Sequence, residues 1–149
     1  MLLYHFGTRD ELLRAVLRRA GERHLASVGE LLHVVPGERY TATLATAWVG
    51  LTGPESQSFV RMSALREQRE DSLWPGFRAR ATTDWFPLLA QGLSTIDPAP
   101  SATLVLAVIR GLIMDLDATA DLTRVDQAFT GFLRSIDPGA PEVSRPRHP

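Results

Sequence analysis

From residue 9 to about 35, apolar side chains at Leu13, Val16, Leu17, Ala20, Val28 and Leu31 recur at intervals of three and four. That spacing predicts one side of a long amphipathic helix, about 40 Å from end to end at 1.5 Å per residue. Its start is specified locally. Thr8 and Glu11 form a capping box, in which each side chain can satisfy the other residue's backbone amide, so the first helical residue is Arg9. Pro36-Gly37 is the stop signal. His24 falls within the apolar stripe, either as a core histidine with its ring nitrogens satisfied or as a polar group facing a ligand cavity.

The same periodicity predicts a helix from about 38 to 52, with Tyr40, Leu44, Trp48 and Leu51 on one side and Gly53-Pro54 behind it. A third helix runs from 55 to about 70 and buries Phe59, Met62 and Leu65. Trp74, Phe77, Ala81, Trp85 and Leu88 keep helical spacing in a fourth, beginning near Pro75. Pro87 lacks an amide proton and clashes with the preceding turn, which predicts a kink or break between 83 and 87. After a proline-bounded loop, Ser101 is the expected cap of the most apolar segment, 102–118, where Val105, Ile109, Leu112 and Leu116 step by four, three and four. A short turn leads to a last helix ending at Ile136, in which Val125, Phe129, Phe132 and Ile136 repeat that stepping. Two matching seams joined by a short connection predict an antiparallel pair. No strand pattern or repeat is present, so the fold class is all-α with about six helices. Residues 137–149, with prolines at 138, 141, 146 and 149, read as an unstructured tail.

Composition narrows the function classes. A chain of 149 residues with 44% hydrophobic and 22% charged positions suits one soluble globular domain. Without cysteine it has no disulfide or zinc-thiolate chemistry. No secretory signal or membrane span is legible, which makes the cytoplasm the default location. The net charge of -1 supplies no overall drive toward nucleic acid, and the all-arginine basic set reads as coding bias. His5, His24, His33 and His148 are scattered, and neither a HExxH nor a GxSxG pattern occurs, so neither catalysis nor a bound cofactor or metal is expected.

The segment Leu-Tyr-His-Phe-Gly-Thr-Arg-Asp-Glu-Leu-Leu at 3–13 resembles the junction between the DNA-binding head and the first long helix of TetR-family transcriptional regulators. One residue between the tyrosine and the phenylalanine of that family's pattern is missing here. The helix order along the rest of the chain is also similar to the family's regulatory body. The resemblance implies a remnant of the recognition helix and turn at 1–7, and a ligand-binding and dimerisation domain at 8–136. Tyr4, His5 and Arg9 would touch DNA phosphates. The seam residues Val105, Ile109, Leu112, Leu116, Val125, Phe129, Phe132 and Ile136 would build a four-helix-bundle homodimer, although both seams could instead pack within one chain. A small, largely apolar effector would lie between the long first helix and the middle helices near His24, Trp48, Met62 and Trp85; Arg110 and Met114, opposite the seam of the apolar helix, either serve it or reach solvent, where a surface salt bridge is as good a reading. Large aromatic and Met side chains at helical spacing are more often ordinary core than the walls of a ligand site. Because most of the helix-turn-helix is lacking before Tyr4, the chain as written is expected to bind DNA only when such a head is present. The other readings are a heterodimerisation partner of a related regulator and a small helical enzyme.

Overall fold

The structure, a computed structural model, describes residues 8–54, 56, 79, 82–97 and 99–145. Among them are five helices and no strand: α1 (Arg9–Leu31), α2 (Tyr40–Leu51), α3 (Trp85–Leu93), α4 (Ala102–Thr119) and α5 (Leu122–Ile136). The third expected helix and the beginning of the fourth, with Phe59, Met62, Leu65 and Trp74, lie outside the described residues.

Helix α1 starts where the capping box requires. The Glu11 amide donates to the Thr8 hydroxyl at 3.2 Å, and the Thr8 amide donates to Glu11 Oε2 at 2.8 Å. Asp10 and Glu11 also put negative charge at the positive end of the helix dipole. The far end, Leu31, is the last residue of the apolar stripe and comes four residues before the expected limit near 35. Pro36 biases Val35 toward extended backbone, and Gly37 takes φ 84°, a left-handed conformation that glycine adopts without a Cβ penalty. The chain therefore turns before Arg39, which is the extended N-cap of α2 and sends its side chain elsewhere.

Pro87 is the third residue of α3, not an interior residue of a longer helix. In the first turn its missing N–H costs nothing, since that donor would have no intrahelical partner. The helical path through Thr82 and Thr83 breaks at Asp84, and α3 begins anew at Trp85. Ser101 occupies the N-cap of α4 with extended backbone, though its hydroxyl makes no capping bond. Asp121 does cap α5, accepting from the Arg124 amide at 3.0 Å.

Helices α4 and α5 pack as an antiparallel pair, α1 lies along α2, α3 along α4, and α2 reaches across to α5. The core is continuous through all five helices and includes Val28 and Leu32, Leu44 and Trp48, Leu89 and Leu93, Val105 and Ile109, and Phe129 and Leu133. Two polar ties close the ends. Arg124 holds Asp115 through two bonds of 2.7 Å across the α4–α5 turn. That hydrogen-bonded pairing keeps the Asp115 carboxyl below its ordinary pKa. At the other end Asp137, just past α5, accepts from Thr41 Oγ1 at 2.9 Å and from Arg39 Nη1 at 2.8 Å, binding the start of α2 to the end of α5. The Thr41 hydroxyl, with the Gly139 amide and Arg39, holds the Asp137 carboxyl low.

The tail departs from expectation as far as residue 145. It has no helix or strand, as its prolines require, yet it is held to the body. Ala140 is buried, Val143 packs against the core, and the Val143 amide donates to Thr130 Oγ1 at 3.2 Å.

Candidate functional site

The expected effector residues separate into groups that the structure does and does not bring together. His24, midway along α1, meets Trp85 at the start of α3 with ring centroids 6.2 Å apart and planes tilted by 51°. From the other side, Arg110 of α4 donates through Nη1 to Thr82 Oγ1 at 2.8 Å. The segment 82–85 is thus gripped by α1 through a histidine and by α4 through an arginine. Burial disfavours the charged imidazole and lowers the His24 pKa. The arrangement ties α1, α3 and α4 together around this segment.

Trp48 belongs elsewhere. Its ring is fully buried, stacks on Phe129 at 4.5 Å with planes 21° apart, and donates from Nε1 to Asp126 Oδ1 at 2.7 Å. Both faces of its chemistry are used inside the chain, where it packs between α2 and α5 as the core reading of such side chains expects. Met114 is also displaced: at 72% exposure it points to solvent on α4. Met62, Tyr4 and His5 lie outside the described residues, and Arg9 is exposed in the first turn of α1.

The seam residues follow the other reading that the sequence left open, packing within one chain. Val105, Ile109, Leu116, Val125 and Phe129 are buried within the single chain, where they pack α4 and α5 onto the other helices. A side chain with no accessible surface has none to give a second copy. Leu112, Phe132 and Ile136 are half-buried beside them. The face of α4 left to solvent is instead the opposite one, carrying Leu104, Ala107, Gly111, Met114 and Ala118. The apolar pattern runs nearly all round this helix, and the stepped residues alone did not show which side faced inward.

A cleft of about 460 Å³ opens where the α1–α2 loop, the α3–α4 loop and the end of α5 meet, lined in part by Glu38, Tyr40, Ile96, Asp97 and Asp137. Sequence periodicity gave no sign of it, because it is made by three loops distant along the chain. Tyr40 is almost fully buried there, its hydroxyl at 3.5 Å from the Leu88 carbonyl and its pKa pushed up to about 12 by burial. Among the described residues no helix is long and apolar enough to cross a membrane. Comparison with protein-family models, curated proteins and solved structures finds no match to this chain.

Proposed function

We propose that this chain is the ligand-binding and dimerisation body of a TetR-like transcriptional regulator, in which a small, largely apolar effector controls DNA binding by a helix-turn-helix head joined at Thr8. The observation that carries the reading is the course of α1. It begins at the capping box inside the motif that resembles the family's head-to-body junction, and it runs without interruption to His24, where it meets Trp85. A ligand seated against His24 and Trp85 would touch the helix that leads to the head. Control requires only that the ligand bind one placement of α1 better than another.

Titration of the chain with small apolar compounds should quench its tryptophan emission saturably. Trp85→Phe is expected to remove most of that response, whereas Trp48→Phe leaves it, because Trp48 is enclosed between α2 and α5. Saturable binding that is indifferent to both Trp85→Phe and His24→Ala would place the effector elsewhere.

The second copy is proposed to sit on the exposed face of α4. Leu104 and Met114 are 51% and 72% exposed on a face otherwise made of small residues, and a Cβ added at Gly111 would meet nothing within 4 Å. An apolar helix face of this kind is costly to leave in water and allows close approach of another helix. Light scattering should give twice the chain mass, and Met114→Arg should return it to the monomer value without loss of helix content. A wild-type chain that stays monomeric at high micromolar concentration sinks the dimer.

A further inference from the structure

The segment after α5 makes, at Arg145, a polar contact of a different kind from the other ion pairs. Arg145 donates through Nε to Asp126 Oδ2 at 2.7 Å and through Nη2 to Asp126 Oδ1 at 2.9 Å, a two-pronged pairing. Nη2 also reaches Thr52 Oγ1 at 2.6 Å. Thr52 in turn donates to the Trp48 carbonyl at 2.7 Å, and Trp48 Nε1 donates to Asp126 Oδ1. A closed circuit results, running from Trp48 through Thr52, Arg145 and Asp126 back to Trp48. The two charged side chains are 25% and 18% exposed, against 50% and 75% for Arg134 and Glu142 a few residues away. Screening by water weakens the outer pair far more than the inner one.

The rest of the segment is lightly held. It has no helix or strand, and Pro141, Glu142 and Ser144 are exposed, so that beyond Ala140 and Val143 it buries little apolar surface. Lifting it would break polar bonds and uncover Ala140 and Val143 while the five helices keep their contacts with one another, the condition for local opening without unfolding. The notch beneath it, made by Asp126, Thr52 and the indole edge of Trp48, belongs to α5 and to the end of α2, both fixed by the core.

We propose that this notch is a guanidinium-binding site occupied in cis by Arg145, which makes residues 140–145 a releasable latch on the α2–α5 contact. The ligand class follows from the donors and acceptors. A planar fork can satisfy both carboxylate oxygens and the threonine hydroxyl together, and a compact ammonium cannot. An arginine side chain presented by another molecule would meet the same three acceptors once the latch lifts.

The test uses the full chain carrying Arg145→Ala. The indole N–H resonance of Trp48, assigned with Trp48→Phe, should move, and cleavage after Glu142 by a glutamate-specific protease should accelerate roughly tenfold, while helix content stays unchanged. Adding ethylguanidinium, well below denaturing concentrations, should return the Trp48 resonance saturably toward its wild-type position. The same concentration of ethylammonium should not, and cleavage should stay fast because the added ion is not tethered to the segment. Asp126→Asn, which keeps an acceptor for Trp48 but removes the charge, should release the segment to a similar extent. The proposal is overturned if Arg145→Ala leaves the Trp48 resonance and the cleavage rate in place. It is equally overturned if ethylammonium restores the resonance as well as ethylguanidinium, or if the response to ethylguanidinium is the same in the wild-type chain.

Discussion

Trp48→Ala is expected to be the most damaging single truncation in the chain, costing about 3–5 kcal/mol as buried aromatic-to-alanine changes do. The ring has no exposed surface, and its stacking on Phe129 joins α2 to α5, so its loss leaves a cavity that neither helix can close alone. Asp126 also loses a donor, although it keeps Arg145. Trp48→Phe separates the two contributions, since it preserves most of the aromatic volume and removes only the indole donor. That variant should cost about 2–3 kcal/mol, the scale of one hydrogen bond to a charged group plus a small packing defect. Denaturant unfolding monitored by helix content measures both. If Trp48→Ala costs less than Trp48→Phe, the tryptophan is not the packing link described here.

Gly92→Ala should be nearly as severe, for the opposite reason. Gly92 lies flat against the ring of Tyr40, and a Cβ built at that position would overlap three of its ring atoms. Both partners are held by the core: Gly92 sits in α3 between Leu89 and Leu93, and Tyr40 opens α2 with almost no exposed surface. A flexible side chain could swing aside, but a buried ring can move only if a helix moves with it. Overpacking of this sort costs about 1–3 kcal/mol and occasionally more, and the rigidity on both sides puts Gly92→Ala at about 3 kcal/mol. The cause is checked by a second substitution. Tyr40→Leu removes the overlapping atoms, so the double variant should be more stable than the sum of the two single losses implies. Strict additivity, or a loss under about 0.5 kcal/mol for Gly92→Ala, would mean that α3 and α2 are not in this contact.

His24 and Trp85 mark how far the candidate site could be read in advance. Each was singled out from its place on an amphipathic stripe, and the structure brings the two together. That Arg110 grips the same segment through Thr82 depends on where α4 lies relative to α3, which no spacing within either helix encodes. Trp48 has the same size and periodicity as Trp85 but a different fate. Its neighbours Phe129 and Asp126 lie about eighty positions away, so burial on all sides was a tertiary fact.

What the sequence determined by itself is local. The Thr8/Glu11 box set the first residue of α1, Pro87 and its surroundings marked the break before α3, and Gly53-Pro54 marked the end of α2. These signals act through a few bonds between residues within a turn of one another, so they are complete in the linear pattern. The all-helical class follows from the same evidence, summed over the chain. Only the tertiary structure decided which side of α4 is buried, because a helix that is apolar nearly all round satisfies its own periodicity in either orientation. Packing chose the face with Val105, Ile109 and Leu116 and left Leu104 and Met114 in water. The docked end of the chain was likewise invisible in a stretch rich in proline. Besides Ala140, Val143 and the bond to Thr130, it is held by one arginine meeting an aspartate on α5 and a threonine just past α2, groups that only the assembled helices bring within hydrogen-bonding distance.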